Sequence, residues 1–224
     1  MELFNIKLLR SFFMKLKISN MTGKLKDIQA INTNTLSNSF CKKENQSNNP
    51  DKICTICYSV YMLETFRKSC VDAWENNSML LSTTKLEWND IVKLRFKNDI
   101  VRIHGHGELI NSLHLQNICK ICQHFCDKTF AIWSKRIDLV RKFFKDYSIP
   151  SNLILIYSNP KIDHVLSTPP RPFHKVFNNV SDTHPLENCT GQNCNDCRLC
   201  YSFEKEKIIV ENTKNYVKRD TSIN

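Results

Sequence analysis

The chain holds eleven cysteines, and most of them fall into groups whose spacing suits metal binding. The tightest group, Cys189-x4-Cys194-x2-Cys197-x2-Cys200, places four thiols in one short polar segment. Such a loop can turn its sulfurs toward one centre, and four sulfurs hold either a cubane iron–sulfur cluster or a tetrahedral zinc ion. Gaps of two residues are typical of ferredoxins, whereas zinc ribbons separate their two knuckles by roughly a dozen residues or more. We therefore favour iron–sulfur over zinc for this group.

A second group, Cys41-x12-Cys54-x2-Cys57, offers three thiols on a loop. Three protein ligands leave one coordination position open, so a metal centre here could bind a substrate or cofactor directly. In the alternative interpretation, Cys54 and Cys57 are half of a zinc knuckle and Cys41 is incidental. Together the two groups predict one or two clusters of the [4Fe–4S] type, with zinc as the alternative.

The other cysteines have the spacing of core residues. Cys119, Cys122 and Cys126 recur at i, i+3 and i+7 of a predicted helix. On the buried face of a helix, a free thiol packs as a small apolar side chain. Cys70 lies in another predicted helix, and we expect it in the core as well.

The N-terminal segment indicates a reducing compartment for these thiols. MELFNIKLLRSFFMKLK carries charges at Glu2, Lys7, Arg10 and Lys15, so it lacks the apolar centre of a signal peptide. No uncharged apolar run approaches about 18 residues, which argues against a membrane-spanning helix. We therefore expect a cytoplasmic protein with no membrane partner, in which clustered cysteines hold metal more often than they form disulfides.

Composition narrows the classes of function further. The 224 residues are 41% hydrophobic, which suits a globular domain with a substantial core. Lys and Arg number 32 against 22 acidic residues, giving a formal charge of +10 that favours contact with nucleic acid or another polyanion. The four glycines form neither a Walker A loop nor a G-x-G-x-x-G fingerprint, which excludes the common phosphate-binding loops.

Apolar patterns alternate between strand and helix along the chain. The strand-like segments are IQAINTNT (28–35), DIVRIHG (99–105), KTFAIWS (128–134), NLILIYS (152–158) and FHKVFNNV (173–180). The helix-like segments are 58–81, 86–94, 109–125 and 136–147, whereas the polar stretch 42–52 is expected to be a loop. This alternation predicts an α/β fold, either a partial (βα) barrel or an open parallel sheet, with a C-terminal cysteine-rich metal-binding loop.

The same patterns divide the chain into four regions. They are a basic leader (1–25), an α/β domain that carries the N-terminal cysteine loop (26–185), a cysteine-rich metal-binding segment (186–203) and a charged tail (204–224). We expect the leader and the tail to be solvated ends.

Polar side chains follow the predicted strands, where α/β proteins place their chemistry. His104 and Glu108 follow the second strand, Lys135 follows the third, and Ser158 ends the fourth. Glu108 can accept a hydrogen bond from the amino group of a ligand, and Lys135 can bind an anion or simply be solvated. His104 and its neighbour His106 alternate across a strand end, so at most one of them faces a cleft. The candidate catalytic residues are therefore Glu108, His104 and Lys135.

Six segments together resemble one known family. They are AINTNTLSNSFC, ICTICYS, RIHGHGELINS, FAIWSKR, LILIYSNP and NCTGQNCNDCRLCY, and they resemble the gene product eighty-eight family of phage and mobile-element proteins over about residues 24–203. The resemblance implies a phage-type protein of the host cytoplasm. It implies no particular reaction.

The layout also resembles the radical S-adenosylmethionine enzymes. These combine a partial (βα) barrel with a three-cysteine loop after the first strand and a glycine-glycine-glutamate motif after the second. The resemblance implies that Cys41, Cys54 and Cys57 hold a [4Fe–4S] cluster, and that the C-terminal four-cysteine group holds an auxiliary one. It implies a cofactor-binding set for S-adenosylmethionine made of Gly105, Gly107, Glu108 and Ser158. In this chain the first cysteine gap is twelve residues, where that superfamily normally has three.

Three functions remain open at this point. The first is an iron–sulfur phage-type protein, a radical S-adenosylmethionine-like enzyme that acts on nucleic acid or another macromolecule. The second is a non-enzymatic zinc protein that binds nucleic acid or a host protein. The third is a barrel that has lost catalysis and only docks a host partner, which the sequence does not separate from the first.

Overall fold

We describe the protein from a computed structural model, in which residues 15–213 of the chain are described. Within this range seven strands form one open sheet, and their order across the sheet is their order along the chain. The strands are β1 (Ser19–Asn20), β2 (Gln29–Ile31), β3 (Ile100–Ile103), β4 (Thr129–Ser134), β5 (Leu153–Ile162), β6 (Lys175–Val180) and β7 (Ile208–Asn212). β1 is antiparallel to β2, and every later strand is parallel to its neighbour. The predicted α/β class is confirmed.

The connecting helices lie between these strands. They are α1 (Ser39–Asn45), α2 (Tyr58–Glu64), α3 (Val71–Thr83), α4 (Trp88–Ile91), α5 (Ser112–His124), α6 (Ile137–Phe143) and α7 (Cys194–Cys197). Because the chain never reverses direction across the sheet, crossovers of one hand place the main helices on the same face. That face is packed by Leu81 from α3, Leu115 and Ile118 from α5 and Val140 from α6.

The opposite face of the sheet, which we call the inner face, has a different cover. It is packed by Ile28, which directly precedes β2, and by the strand residues Ile100, Ala131, Trp133, Ile154, Ile156 and Ile209. Leu199, Cys200 and Tyr201 from the C-terminal cysteine segment pack on these residues. The cysteine-rich segment is therefore part of the core and closes the side of the sheet that the helices leave open.

Strand β5 carries the apolar run that the sequence predicts to be buried on both faces. Leu153, Ile154, Leu155 and Ile156 are all fully buried. Leu153 and Leu155 pack on the helix side, while Ile154 and Ile156 pack on the inner face. This is the pattern of a central parallel strand, which needs apolar side chains on both sides.

Three predicted helix or loop segments differ from the structure. Within 42–52, expected to be a loop, the chain is helical as far as Asn45, because α1 begins at an Asn38 cap rather than at an apolar stripe. The single helix predicted over 58–81 is broken at Thr65, whose φ of −113° and ψ of −97° are not helical. The helix predicted over 86–94 is reduced to the single turn α4.

The ends of the described range also differ from expectation. In the predicted leader, Leu16 is buried and β1 pairs with β2. In the predicted tail, β7 pairs with β6. Both segments are therefore part of the sheet rather than solvated ends, whereas residues 1–14 and 214–224 of the leader and tail lie outside the described residues.

The structure separates the cysteines that the sequence predicts for the core. Cys119 and Cys122 are buried in α5, as expected. Cys126 lies beyond the end of α5 and is exposed, so its predicted burial is wrong. Cys70 is only half-buried, because it lies in a 3-10 turn between α2 and α3 instead of inside a helix.

Among the helices of the described part of the chain, we find no stretch long and apolar enough to cross a membrane.

Candidate functional site

The carboxyl ends of β3, β4 and β5 meet at one edge of the sheet. Glu108 follows β3, Lys135 directly follows β4, and Ser158 lies in β5 where its pairing with β6 changes register. Because these strands are parallel neighbours, the segments that follow them are neighbours as well. The Lys135 ammonium group donates to the Ser158 hydroxyl at 2.9 Å, which links the ends of β4 and β5.

The loop after β2 folds its cysteines back onto this edge. The Asn38 side-chain oxygen accepts from the Cys41 backbone N–H at 3.3 Å, and its amide nitrogen donates to the Glu108 backbone oxygen at 3.0 Å. At the other end of α1, the Asn45 side chain donates to the Cys54 backbone oxygen at 2.8 Å. One capped helix and one turn therefore close the twelve-residue gap between Cys41 and Cys54.

Three thiols, one carboxylate and one ammonium group form the cluster that we call the N-terminal cysteine site: Cys41, Cys54, Cys57, Glu108 and Lys135. Burial would lower the pKa of Lys135, but the three thiols and Glu108 around it raise the pKa above its ordinary value. Burial raises the pKa of Cys41 far above its usual range, Glu108 adds to the rise, and Lys135 opposes it. Lys135 is therefore the positive charge of the site. The other groups, the three thiols and Glu108, are negative when they lose their protons.

Glu108 is held by three donors. Its Oε1 atom accepts from the Ser134 hydroxyl and from the Leu109 backbone N–H, both at 2.7 Å. Its Oε2 atom accepts from the Lys135 backbone N–H at 2.7 Å. A carboxylate offers about four acceptor positions, so one position on Oε2 remains for a ligand. Glu108 thereby joins the ends of β3 and β4 and keeps one acceptor for the site.

The two glycines of the predicted cofactor set pack against the loop after β2. Gly107 has a φ of 94°, and a Cβ atom there would overlap the side chain and the backbone oxygen of Thr33. A Cβ atom on Gly105 would come within 2.9 Å of the Asn32 side-chain oxygen. Glycine is therefore required at these two positions because the backbone packs closely against Asn32 and Thr33 of the protein itself.

His104 and His106 are both buried, so neither faces an open cleft. The His104 ring lies 5.2 Å from the His114 ring, and its Nδ1 atom is 3.3 Å from the Trp133 backbone oxygen. The His106 ring stacks on Trp74 at 4.4 Å, and its Nδ1 atom is 2.8 Å from the Ser59 hydroxyl.

Burial lowers the pKa of both rings. It brings the pKa of His106 down to about 3, and it is also the main cause of the lowered pKa of His104, so both rings are uncharged at neutral pH. Their contacts are those of interior residues. Of the three candidate catalytic residues, the structure brings Glu108 and Lys135 to the thiols and gives His104 interior partners.

The four C-terminal thiols form a second cluster, the C-terminal cysteine site: Cys189, Cys194, Cys197 and Cys200. The turn α7 carries Cys194 and Cys197, and the Asn193 side chain caps its first N–H groups. Arg198 follows with a φ of 52°, a left-handed conformation that ends the turn. The chain then directs Cys200 onto the inner face of the sheet.

The charges around the C-terminal cysteine site come from both ends of the described chain. Burial raises the pKa of Cys189 to about 11, and Glu211 adds to the rise. Lys24, which pairs with Glu211, lies 3.9 Å from the Cys189 sulfur and opposes it. Burial also raises the pKa of Cys200. The positive charge of Arg102 opposes this rise, and the neighbouring thiols add to it. Metal binding at these thiols would have to displace their protons.

Neither cysteine site has the geometry of a single-ion centre. In the part of the chain that the structure describes, no three Cys, His, Asp or Glu side chains surround one point closely enough to hold one metal ion. A tetrahedral zinc ion with Zn–S bonds of about 2.3 Å needs its sulfurs within about 4 Å of one another. Both sites are built from half-buried or buried thiols, the donor type that iron–sulfur clusters and zinc share.

An open, mostly parallel α/β sheet with one cysteine site at its carboxyl edge and another on its inner face defines the class of this protein. The family model described as Gene product 88 matches residues 5–203. The chain therefore belongs to the gene product 88 family, the phage family that its motifs resemble. No curated protein and no solved structure matches it.

Several residues that build these sites escape prediction from the sequence. Asn38 stands three residues before Cys41, and this spacing is a helix-cap signal that could identify it. Ser134 ends a predicted strand beside Lys135, yet nothing in the pattern indicates that it binds Glu108. Lys24 and Glu211 form an ion pair beside Cys189, a contact between distant segments that no local pattern reveals.

Proposed function

We propose that the protein binds iron–sulfur clusters, one at each cysteine site, and that the N-terminal cysteine site is the reactive centre of a radical S-adenosylmethionine-like enzyme. The observation that carries the proposal is that hydrogen bonds from Asn38 and Asn45 fold the three-cysteine loop back to the carboxyl edge of the sheet, where all three thiols and Glu108 act on the Lys135 ammonium group. Three thiolates would leave one coordination position open to a small molecule. The two-residue gaps of the C-terminal cysteine site favour a cluster over zinc there.

The residues around the thiols suit a ligand that carries an amino group. Glu108 has one free acceptor position, and its other three hydrogen bonds fix the direction of that position. The Lys135 ammonium group balances the negative charge of the thiolates, and Ser158 holds its Nζ atom in place. A [4Fe–4S] cluster with S-adenosylmethionine would supply one-electron chemistry to a substrate at this edge.

Nucleic acid is the substrate class that the charge favours. The chain carries ten more basic than acidic residues, so its net charge attracts a polyanion. Phosphate contacts by Lys and Arg predict an affinity that falls steeply as salt increases. Binding of single- or double-stranded oligonucleotides should therefore weaken at least about tenfold between about 50 and 200 mM salt, and an affinity independent of salt would argue against nucleic acid.

Anaerobic purification followed by iron and sulfide analysis tests the metal assignment. We expect about eight iron atoms and eight sulfides per chain for two cubane clusters. A variant with Cys41→Ser, Cys54→Ser and Cys57→Ser should keep about half of both. The matched control Cys126→Ser removes an exposed thiol outside both sites and should keep all of the iron and sulfide.

Paramagnetic resonance of the reduced protein tests the reactive site separately. Addition of S-adenosylmethionine should change the spectrum of the wild-type protein and leave the triple-serine variant unchanged. A colourless protein with stoichiometric zinc and no sulfide after anaerobic reconstitution would overturn the proposal in favour of the zinc-binding alternative.

A further inference from the structure

The inner face of the sheet carries a positive charge between the two cysteine sites. Arg102 lies in β3 between Val101 and Ile103, which both pack on the helix side, so its own side chain points to the inner face. The centre of its guanidinium group is 3.8 Å from the centroid of the Trp133 ring. The Trp133 ring is in turn 5.7 Å from the ring of Tyr201. Three side chains with polar hydrogens therefore meet at one place.

These three side chains hold donors that the protein does not use. Within residues 15–213, six buried side-chain nitrogen or oxygen atoms lack a hydrogen-bond partner, and three of them are Arg102 Nε, Trp133 Nε1 and Tyr201 Oη. Trp133 and Tyr201 are only 7% and 5% exposed. Native proteins satisfy nearly all buried polar groups, so three unused donors in contact indicate that something else accepts from them.

Arg102 also lacks a balancing charge. No acidic side chain in the described part of the chain forms an ion pair with it. The groups near its guanidinium are the hydroxyls of Tyr201 and Tyr58 and the thiol of Cys200. An unpaired cation among buried side chains is costly unless an anion completes it.

We infer that Arg102, Trp133 and Tyr201 form a binding site for a phosphate group on the inner face of the sheet. The guanidinium group presents a fork of N–H donors that matches two oxygens of a phosphate. The unpartnered indole N–H and phenol O–H add two further donors, and a phosphate offers one more acceptor oxygen for them than a carboxylate does. Arg102 is only partly buried, so a ligand can reach it from solvent. This site goes beyond the proposed function, because it does not require metal at either cysteine site.

Titration with inorganic phosphate tests the site in the full-length chain, both as purified and after removal of metal. Phosphate should raise the melting temperature of the wild-type protein in proportion to the logarithm of its concentration, as expected for a ligand of the native state. It should also change the tryptophan fluorescence. Chloride at the same ionic strength should do neither.

Variants assign the effect to the three residues. Arg102→Gln should weaken phosphate binding at least tenfold, and Tyr201→Phe should weaken it severalfold while the ring keeps its packing. The matched control Arg141→Gln removes the same charge from an exposed side chain on α6 and should bind phosphate like the wild type. Trp133→Phe should remove the fluorescence change that phosphate causes.

Stability in phosphate-free buffer separates a binding role from a structural one. Removing an unpaired cation should leave Arg102→Gln as stable as the wild type or more stable, whereas removing a structural ion pair would lower its melting temperature. Phosphate affinity that is equal in wild type and Arg102→Gln would overturn the inference. A loss of metal in Arg102→Gln together with unchanged phosphate affinity would also overturn the inference, because the guanidinium group would then stabilise the C-terminal thiolates. If Arg102→Gln fails to fold, phosphate affinity in Tyr201→Phe equal to that of the wild type would overturn it instead.

Discussion

Replacing Glu108 with glutamine should lower the free energy of unfolding by about 3 kcal/mol. The glutamine oxygen can still accept from Ser134 and from the Leu109 N–H, but its amide group would then point a donor at the Lys135 N–H. One hydrogen bond to a charged group is lost, at about 1.5 to 3 kcal/mol, and the half-buried Lys135 ammonium also loses a carboxylate that raises its pKa. Glu108 is buried, so solvent screens little of this effect.

Urea unfolding of metal-free protein measures the change without any contribution from bound metal. Glu204→Gln is the matched control, because Glu204 is exposed and its substitution should change the free energy of unfolding by no more than about 0.5 kcal/mol. If Glu108→Gln differed from the wild type by as little as this control, the three hydrogen bonds would not join the ends of β3 and β4 as we argue.

Three further changes test the surroundings of the sites. Because the pKa of His106 in the native state is about 3, below the ordinary value of 6.5, the unfolded state takes up its proton first as pH falls. Stability is therefore complete above about pH 6.5 and falls by up to about 1.4 kcal/mol per unit toward pH 3, a slope that His106→Gln should reduce in acid unfolding. Gly107→Ala should destabilise by more than Gly23→Ala, since both have positive φ but only Gly107 would overlap Thr33; equal melting temperatures would refute the overlap. Cys122→Ala should lower the melting temperature by leaving a cavity, whereas exposed Cys126→Ala should not.

The sequence predicts the central strands well because apolar residues dominate them. Each of the five strand-like segments overlaps one of the strands β2 to β6, although β5 continues beyond its predicted end to Ile162. β1 has only two residues, which is too short for any periodicity to be recognised. β7 has an apolar Ile208–Val210 run set among charged residues, so composition conceals it in a segment that resembles a tail. Helix α1 is not predicted either, because it has a side-chain cap but no apolar stripe that a periodic pattern could reveal.

One physical rule predicts which polar residues lie at the N-terminal cysteine site, but it does not predict their hydrogen bonds. Once parallel strands are assigned, the residues after them must share an edge, and that rule selects Glu108, Lys135 and Ser158. No rule of spacing indicates that Glu108 is already held by three donors. Nor does spacing indicate that Gly105 and Gly107 face the loop after β2. Hydrogen bonds between distant segments need the coordinates.

Arg102 relates the two cysteine sites to each other. Tyr58 directly follows Cys57 in the chain, Tyr201 directly follows Cys200, and both tyrosines influence the pKa of Arg102. One side chain therefore lies near a neighbour of each cysteine site, although the cysteines of the two sites are more than a hundred residues apart in sequence. A phosphate bound at Arg102, as we propose, would therefore lie near both of these tyrosines, on the face of the sheet that the C-terminal cysteine segment covers.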